Sequence, residues 1–100
     1  MEELPFGAYI RQLREAHKMP LRKLAAALDI DTSTLSKIER NERFANAGML
    51  SIIAETFDVQ LINVKKRFWK EKILSDLKNE NDAIKILENI IISLKTDRSE

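Results

Sequence analysis

The sequence predicts an all-α fold: a compact helical domain with an additional helical segment behind it. Three observations carry that prediction. Two glycines and two prolines in 100 residues are too few for the tight turns of an all-β chain. Apolar residues recur three and four apart along most of the length, the period of a helix with one buried face. A composition of 44% apolar and 33% charged residues is that of a soluble, helix-rich domain.

The first helix is expected from Phe6 to His17, with Phe6, Tyr9, Ile10 and Leu13 on its inner stripe and Arg11, Gln12 and Glu15 outside. Lys18-Met19 makes the connection. Pro20 suits the start of the second helix, where its missing N–H is of little consequence. That helix runs to about Leu28 and buries Leu21, Leu24, Ala25 and Leu28; the small Ala25-Ala26-Ala27 run permits a close crossing by the next helix. Asp31 can cap a third helix from Thr32 to Arg40, with Leu35 and Ile38 inside and Asn41 as a left-handed C-terminal residue. Glu42 to Ala45 is a loop carrying Arg43 and Phe44. Asn46 can cap a fourth helix, apolar almost all round, which ends near Asp58; a fifth begins with Val59, Leu61, Ile62 and Val64.

The centre of this arrangement is the stretch Leu21–Asn41, two short helices joined by a tight turn. The second of the pair hides Leu35 and Ile38 and shows Thr32, Ser33, Ser36, Lys37 and Arg40. Short hydroxyls and cations on an exposed helix face suit the major groove of DNA. The same spacing also fits an ordinary helical hairpin with a solvated outer face.

In order and spacing, the chain resembles the Cro/phage-repressor-like helix-turn-helix family, often called the XRE family. The residues that carry the likeness are IRQLRE from Ile10, Leu21-Leu24-Ala25, STLSKIE from Ser33, and LSIIAETFDV from Leu50, and it covers about Tyr9 to Val64. It implies a five-helix lambda-repressor-like domain over residues 1–64, which binds double-stranded DNA. Thr32, Ser33, Ser36 and Lys37 then stand at the base-reading positions. Lys37 is the sharpest of them, because a cation donates to guanine O6 and N7; Thr32 has a competing reading as a helix cap. Arg22, Lys23, Thr34, Arg40 and Arg43 are the phosphate candidates, each with a competing reading as a solvated surface residue. Arg14 and Glu39 occupy the family's partly buried ion pair, a structural assignment rather than a DNA contact. Three positions depart from the family pattern: Leu21 replaces a phosphate-binding Gln, and Asp29 and Asn41 replace glycines.

Behind Val64 the fifth helix continues through Phe68, Trp69, Ile73 and Leu77. After a break at Asn79-Glu80-Asn81, Asp82 can cap a sixth. That helix carries Ile84, Leu87, Ile91 and Leu94 in one stripe, with Ile86, Ile90 and Ile92 beside it, more than one narrow face can hide. We expect one partner of this helix to be its own domain and the other a second subunit. Residues 65–100 are therefore the expected dimerisation element, with Phe68, Trp69, Ile84, Leu87, Ile90, Ile91 and Leu94 at the interface. A two-fold dimer would place two recognition helices on a palindrome about one turn (~34 Å) apart. The alternative is an antitoxin-like interaction module whose C-terminal helices dock a different protein.

Other classes find little support. Net charge is +1, yet residues 11–23 hold five cations against one carboxylate and residues 79–100 hold three against five, a basic front and an acidic tail. With no cysteine and His17 as the sole histidine, ordinary Cys/His metal sites, disulfides and a nucleophile–base constellation are absent. No cofactor, small-molecule ligand or enzymatic activity is expected. The N-terminus lacks the pattern of a secretory signal and Ile90-Ile91-Ile92 is too short to span a bilayer, so a cytoplasmic protein is expected.

Overall fold

The computed structural model describes residues 3–98. Among them are six α-helices and no strand: α1 (Phe6–Ala16), α2 (Leu21–Ala27), α3 (Thr32–Glu39), α4 (Leu50–Phe57), α5 (Leu61–Asp76) and α6 (Ala83–Arg98). Helices α1 to α5 surround one core in which Leu24, Leu35, Ile53 and Val64 are fully enclosed, with Ile10, Phe57 and Phe68 nearly so. Burying a side chain of this size stabilises the fold by roughly 1.5–3 kcal/mol.

Helix α4 supports the centre with Leu50, Ile53, Ala54 and Phe57. Its start differs from expectation. A 3₁₀ turn, Ala47–Met49, precedes it, and the Asn46 side chain makes no capping bond; the Asn46 carbonyl instead accepts from the Met49 amide. Only Ala25 of the three-alanine run is buried, while Ala26 and Ala27 face outward.

Four successive helices end in the same way. Lys18, Asp29, Asn41 and Asp58 all adopt positive φ, between 52° and 63°. Each sits one residue past the helix cap, or at the cap for Asp58, and is followed by a paired return of amides to carbonyls. After α1, Lys18 N–H donates to Glu15 O and Met19 N–H to Arg14 O; after α2, Asp29 donates to Ala26 and Ile30 to Ala25. The α3 and α4 ends repeat the pattern with Asn41 and Glu42, and with Asp58 and Val59. These are Schellman ends, a geometry in which glycine is the usual occupant.

The start of helix α1 is held by two distant residues. Gly7 lies so close to α3 that a Cβ there would collide with the Ile38 carbonyl oxygen, and its amide donates to Asn41 Oδ1 at 2.9 Å. The Phe6 amide, which has no local side-chain cap, donates to Glu71 Oε2 of α5 at 2.6 Å. Helix α5 runs unbroken across residue 64, and the core reaches Phe68, whose ring meets Phe6 edge-on at 5.6 Å.

Helix α6 corrects an expectation. It does not pack on its own domain: none of its residues is buried, and Ile84, Ile90, Ile91, Ile92 and Leu94 are all exposed. The Asn79–Asp82 break leads it away from the five-helix body, so its apolar surface has no partner within the described chain. No helix among the described residues is long and apolar enough to cross a membrane.

Candidate nucleic-acid interface

The face that could meet DNA is built from α2, the turn after it, and α3. Asp31 starts α3 in the manner its side chain favours. Its Oδ1 accepts from the Thr34 amide at 2.7 Å and from the Ser33 hydroxyl at 2.9 Å. Hydrogen bonding by Thr34, with a smaller contribution from Ser33, holds the exposed Asp31 carboxyl below the usual carboxylate range. Asp31 therefore takes the capping role and leaves Thr32, the first helical residue, exposed.

Leu35 and Ile38 bury the inner side of α3, which turns Thr32, Ser33 and Lys37 to solvent, with Ser36 and Thr34 half-buried beside them. Because the Ser33 proton is donated to Asp31, this hydroxyl meets a base as an acceptor. Thr34 is drawn toward the cap by its bonds to Asp31.

The seating of α3 depends on Arg14 of α1. Its Nε and Nη2 donate to the two Glu39 carboxylate oxygens at 2.8 and 3.0 Å, and Nη1 donates to the Met19 carbonyl at 3.0 Å. Glu39 is the one buried charged residue among those described. The Glu39 hydrogen bonds raise the Arg14 pKa above its ordinary value, outweighing the opposing effect of burial. This fork ties α1, the α1–α2 turn and α3 into one unit, and it points inward, away from any groove.

The cations divide by what already holds them. Arg40 Nε lies 2.8 Å from Glu42 Oε2, so a phosphate would compete with that carboxylate. Arg22, Lys23, Lys37 and Arg43 are exposed and make no ion pair among the described residues. Leu21, where the family has Gln, is half-buried against the core.

The expected dimer residues separate. Phe68 belongs to the domain's own core at 1% exposure and is unavailable to a second subunit, because α5 packs on α1 and α4 through it. Trp69, its neighbour, stays 43% exposed with its ring edge-on to Phe68. Ile84, Ile90, Ile91 and Leu94 are exposed on α6, and Leu87 is half-buried. Sequence reasoning missed three positioning contacts: Asn41 to Gly7, Glu71 to Phe6, and Arg67 stacked 4.1 Å from the Tyr9 ring centroid. The first two join residues 34 and 65 apart in sequence, beyond any periodicity signal. His17 stands at the end of α1 with its ring edge-on to Phe57, centroids 5.1 Å apart.

Comparison with known proteins agrees with this geometry. A helix-turn-helix family model matches residues 10–62. The fold is similar to the crystal structure of the clp gene regulator ClgR from Corynebacterium glutamicum, with a TM-score of 0.57 at 19% identity over 100% of both chains. No curated protein matches the sequence.

Proposed function

The chain belongs to the helix-turn-helix family, and from that premise we propose that it is a DNA-binding transcriptional regulator that acts in the cytoplasm as a homodimer on a palindromic operator. The observation that carries the reading is α3 itself: a short helix capped by Asp31, locked by Arg14–Glu39, and exposing Thr32, Ser33 and an unpaired Lys37. Lys37, with Thr32, Ser33 and Ser36, reads base edges. Arg22, Lys23 and Arg43 hold phosphates, joined by Thr34, and by Arg40 once it exchanges Glu42 for a phosphate. Residues 1–64 carry recognition and residues 65–100 carry pairing, with the core shared across that boundary through Phe68. The unit works by binding rather than by catalysis.

Selection of binding sites from random duplex DNA by the full-length chain tests this. A palindrome should emerge. Lys37→Ala should relax the preference at one position per half-site, a loss of roughly 1–3 kcal/mol, and Lys23→Ala should weaken all sequences alike and lower the salt slope by about one. A chain that enriches no sequence at low salt would overturn the reading.

The unpartnered apolar surface of α6 favours a second reading, an antitoxin-like module that docks a different protein. A stable homodimer of the purified chain with α6 at its interface counts against it.

A further inference from the structure

Apart from α2 and α3, the lead-in residue Glu3, α1 and α5 flank an open cleft of about 550 Å³ lined by Glu3, Tyr9, Asn63, Lys66, Arg67 and Lys70. None of these residues belongs to the α2–α3 face. Arg67 is held over the Tyr9 ring, 4.1 Å from its centroid, and its Nη1 is buried with no hydrogen-bond partner among the described residues. A buried guanidinium nitrogen without an acceptor is costly, and such orphans mark places where an ion or ligand belongs. The cleft also carries unbalanced charge. Its three cations face one carboxylate, Glu3, whose Oε1 is already 3.2 Å from Lys70 Nζ.

We infer that this cleft is a binding site for a small phosphate monoester. The surplus of two positive charges matches a phosphate dianion, and the fixed plane of Arg67 offers the fork that phosphate oxygens accept. Lys66 closes the charge from the rim and Asn63 supplies an amide donor or acceptor. A second hollow, lined by Leu4, Pro5, Leu74 and Glu71, whose carboxylate is engaged by the Phe6 amide, shares Glu3, Arg67 and Lys70 with the first and can take an apolar body attached to the phosphate. This stands against the sequence-based expectation of no small-molecule ligand. Its occupant would bridge α1 and α5, and α5 leads directly to the α6 segment.

The test titrates phenyl phosphate into the full-length chain at low ionic strength and follows backbone amide chemical shifts, with sodium chloride at matched ionic strength as control. Saturable shifts at Tyr9, Asn63 and Arg67, absent with chloride, are the expected result. Lys66→Gln, at an exposed position, should fold normally and weaken binding about tenfold; Arg67→Met, which keeps the aliphatic stem but removes the guanidinium stacked on Tyr9, should abolish it. If Arg67→Met fails to fold, Lys66→Gln decides alone. Shifts that chloride reproduces, shifts centred on Arg22, Lys23 and Lys37 (phosphate acting as a mimic of the DNA backbone), or unchanged affinity in Lys66→Gln would each overturn the site.

Discussion

Lys18, Asp29, Asn41 and Asp58 each hold a backbone conformation that costs an L-residue about 1–2 kcal/mol, but they do not hold it on equal terms. Lys18 is exposed and its side chain makes no hydrogen bond or ion pair among the described residues. Lys18→Gly should therefore raise stability by about 1 kcal/mol once the greater freedom of glycine in the unfolded chain is subtracted. Asn41→Gly should do the reverse, by about 1 kcal/mol, because it removes the Oδ1 acceptor that satisfies the Gly7 amide. Urea denaturation of the two variants checks both signs. At Asp31 the sign concerns pH. Its folded pKa lies below the unfolded value, so its contribution is complete above the unfolded pKa of about 4 and vanishes as pH falls through the lower folded one. The stability gap between the natural chain and Asp31→Ala should be constant near neutrality and narrow as acid protonates the carboxyl; a gap that shows no dependence on pH on the acid side would contradict the cap's role.

At the scale of elements, the Arg14–Glu39 fork sets the angle at which α3 is presented. Either Arg14→Met or Glu39→Leu alone should cost about 3–5 kcal/mol by leaving an uncompensated charge in a buried place, whereas the double variant should recover most of the loss. A double-mutant cycle in thermal denaturation measures this. Element existence was legible because Phe6, Tyr9, Ile10 and Leu13, or Leu35 and Ile38, mark their own inner faces. The positive φ at Asp29 and Asn41 was legible through the glycines they replace, while Lys18 gave no such signal. The 3₁₀ entry to α4 was not legible, since Asn46 reads as a cap whether or not its side chain bonds. Nor was the division between Phe68 and Trp69. Adjacent residues point in directions about 100° apart on a helix, and only the crossing of α1 over α5 decides which one the core receives. In the candidate site, exposure of Thr32, Ser33 and Lys37 follows from burial of Leu35 and Ile38. The competition of Glu42 for Arg40 was written two residues away and passed unread.

For the whole molecule, a radius of gyration of 15.7 Å exceeds the roughly 13 Å of a compact 100-residue chain, because α6 stands off the five-helix body. A large uncovered apolar surface on one helix is a marker of association. Light scattering on the purified chain should give a dimer, and Ile84→Asp combined with Ile91→Asp should halve the mass while leaving the α1–α5 core folded. Trp69, on the adjoining stretch of α5, should shift its fluorescence to longer wavelength as the pair separates on dilution. A natural chain that is already monomeric would remove the dimer. The detachment of α6 also orders events during synthesis. Phe68 closes the core, and α6 begins fifteen residues later, at Ala83, a stretch that takes about 1–3 seconds to translate. The five-helix body thus has a head start in folding over the apolar helix that follows it, so that α6 is presented by a forming domain rather than by a wholly unfolded polypeptide.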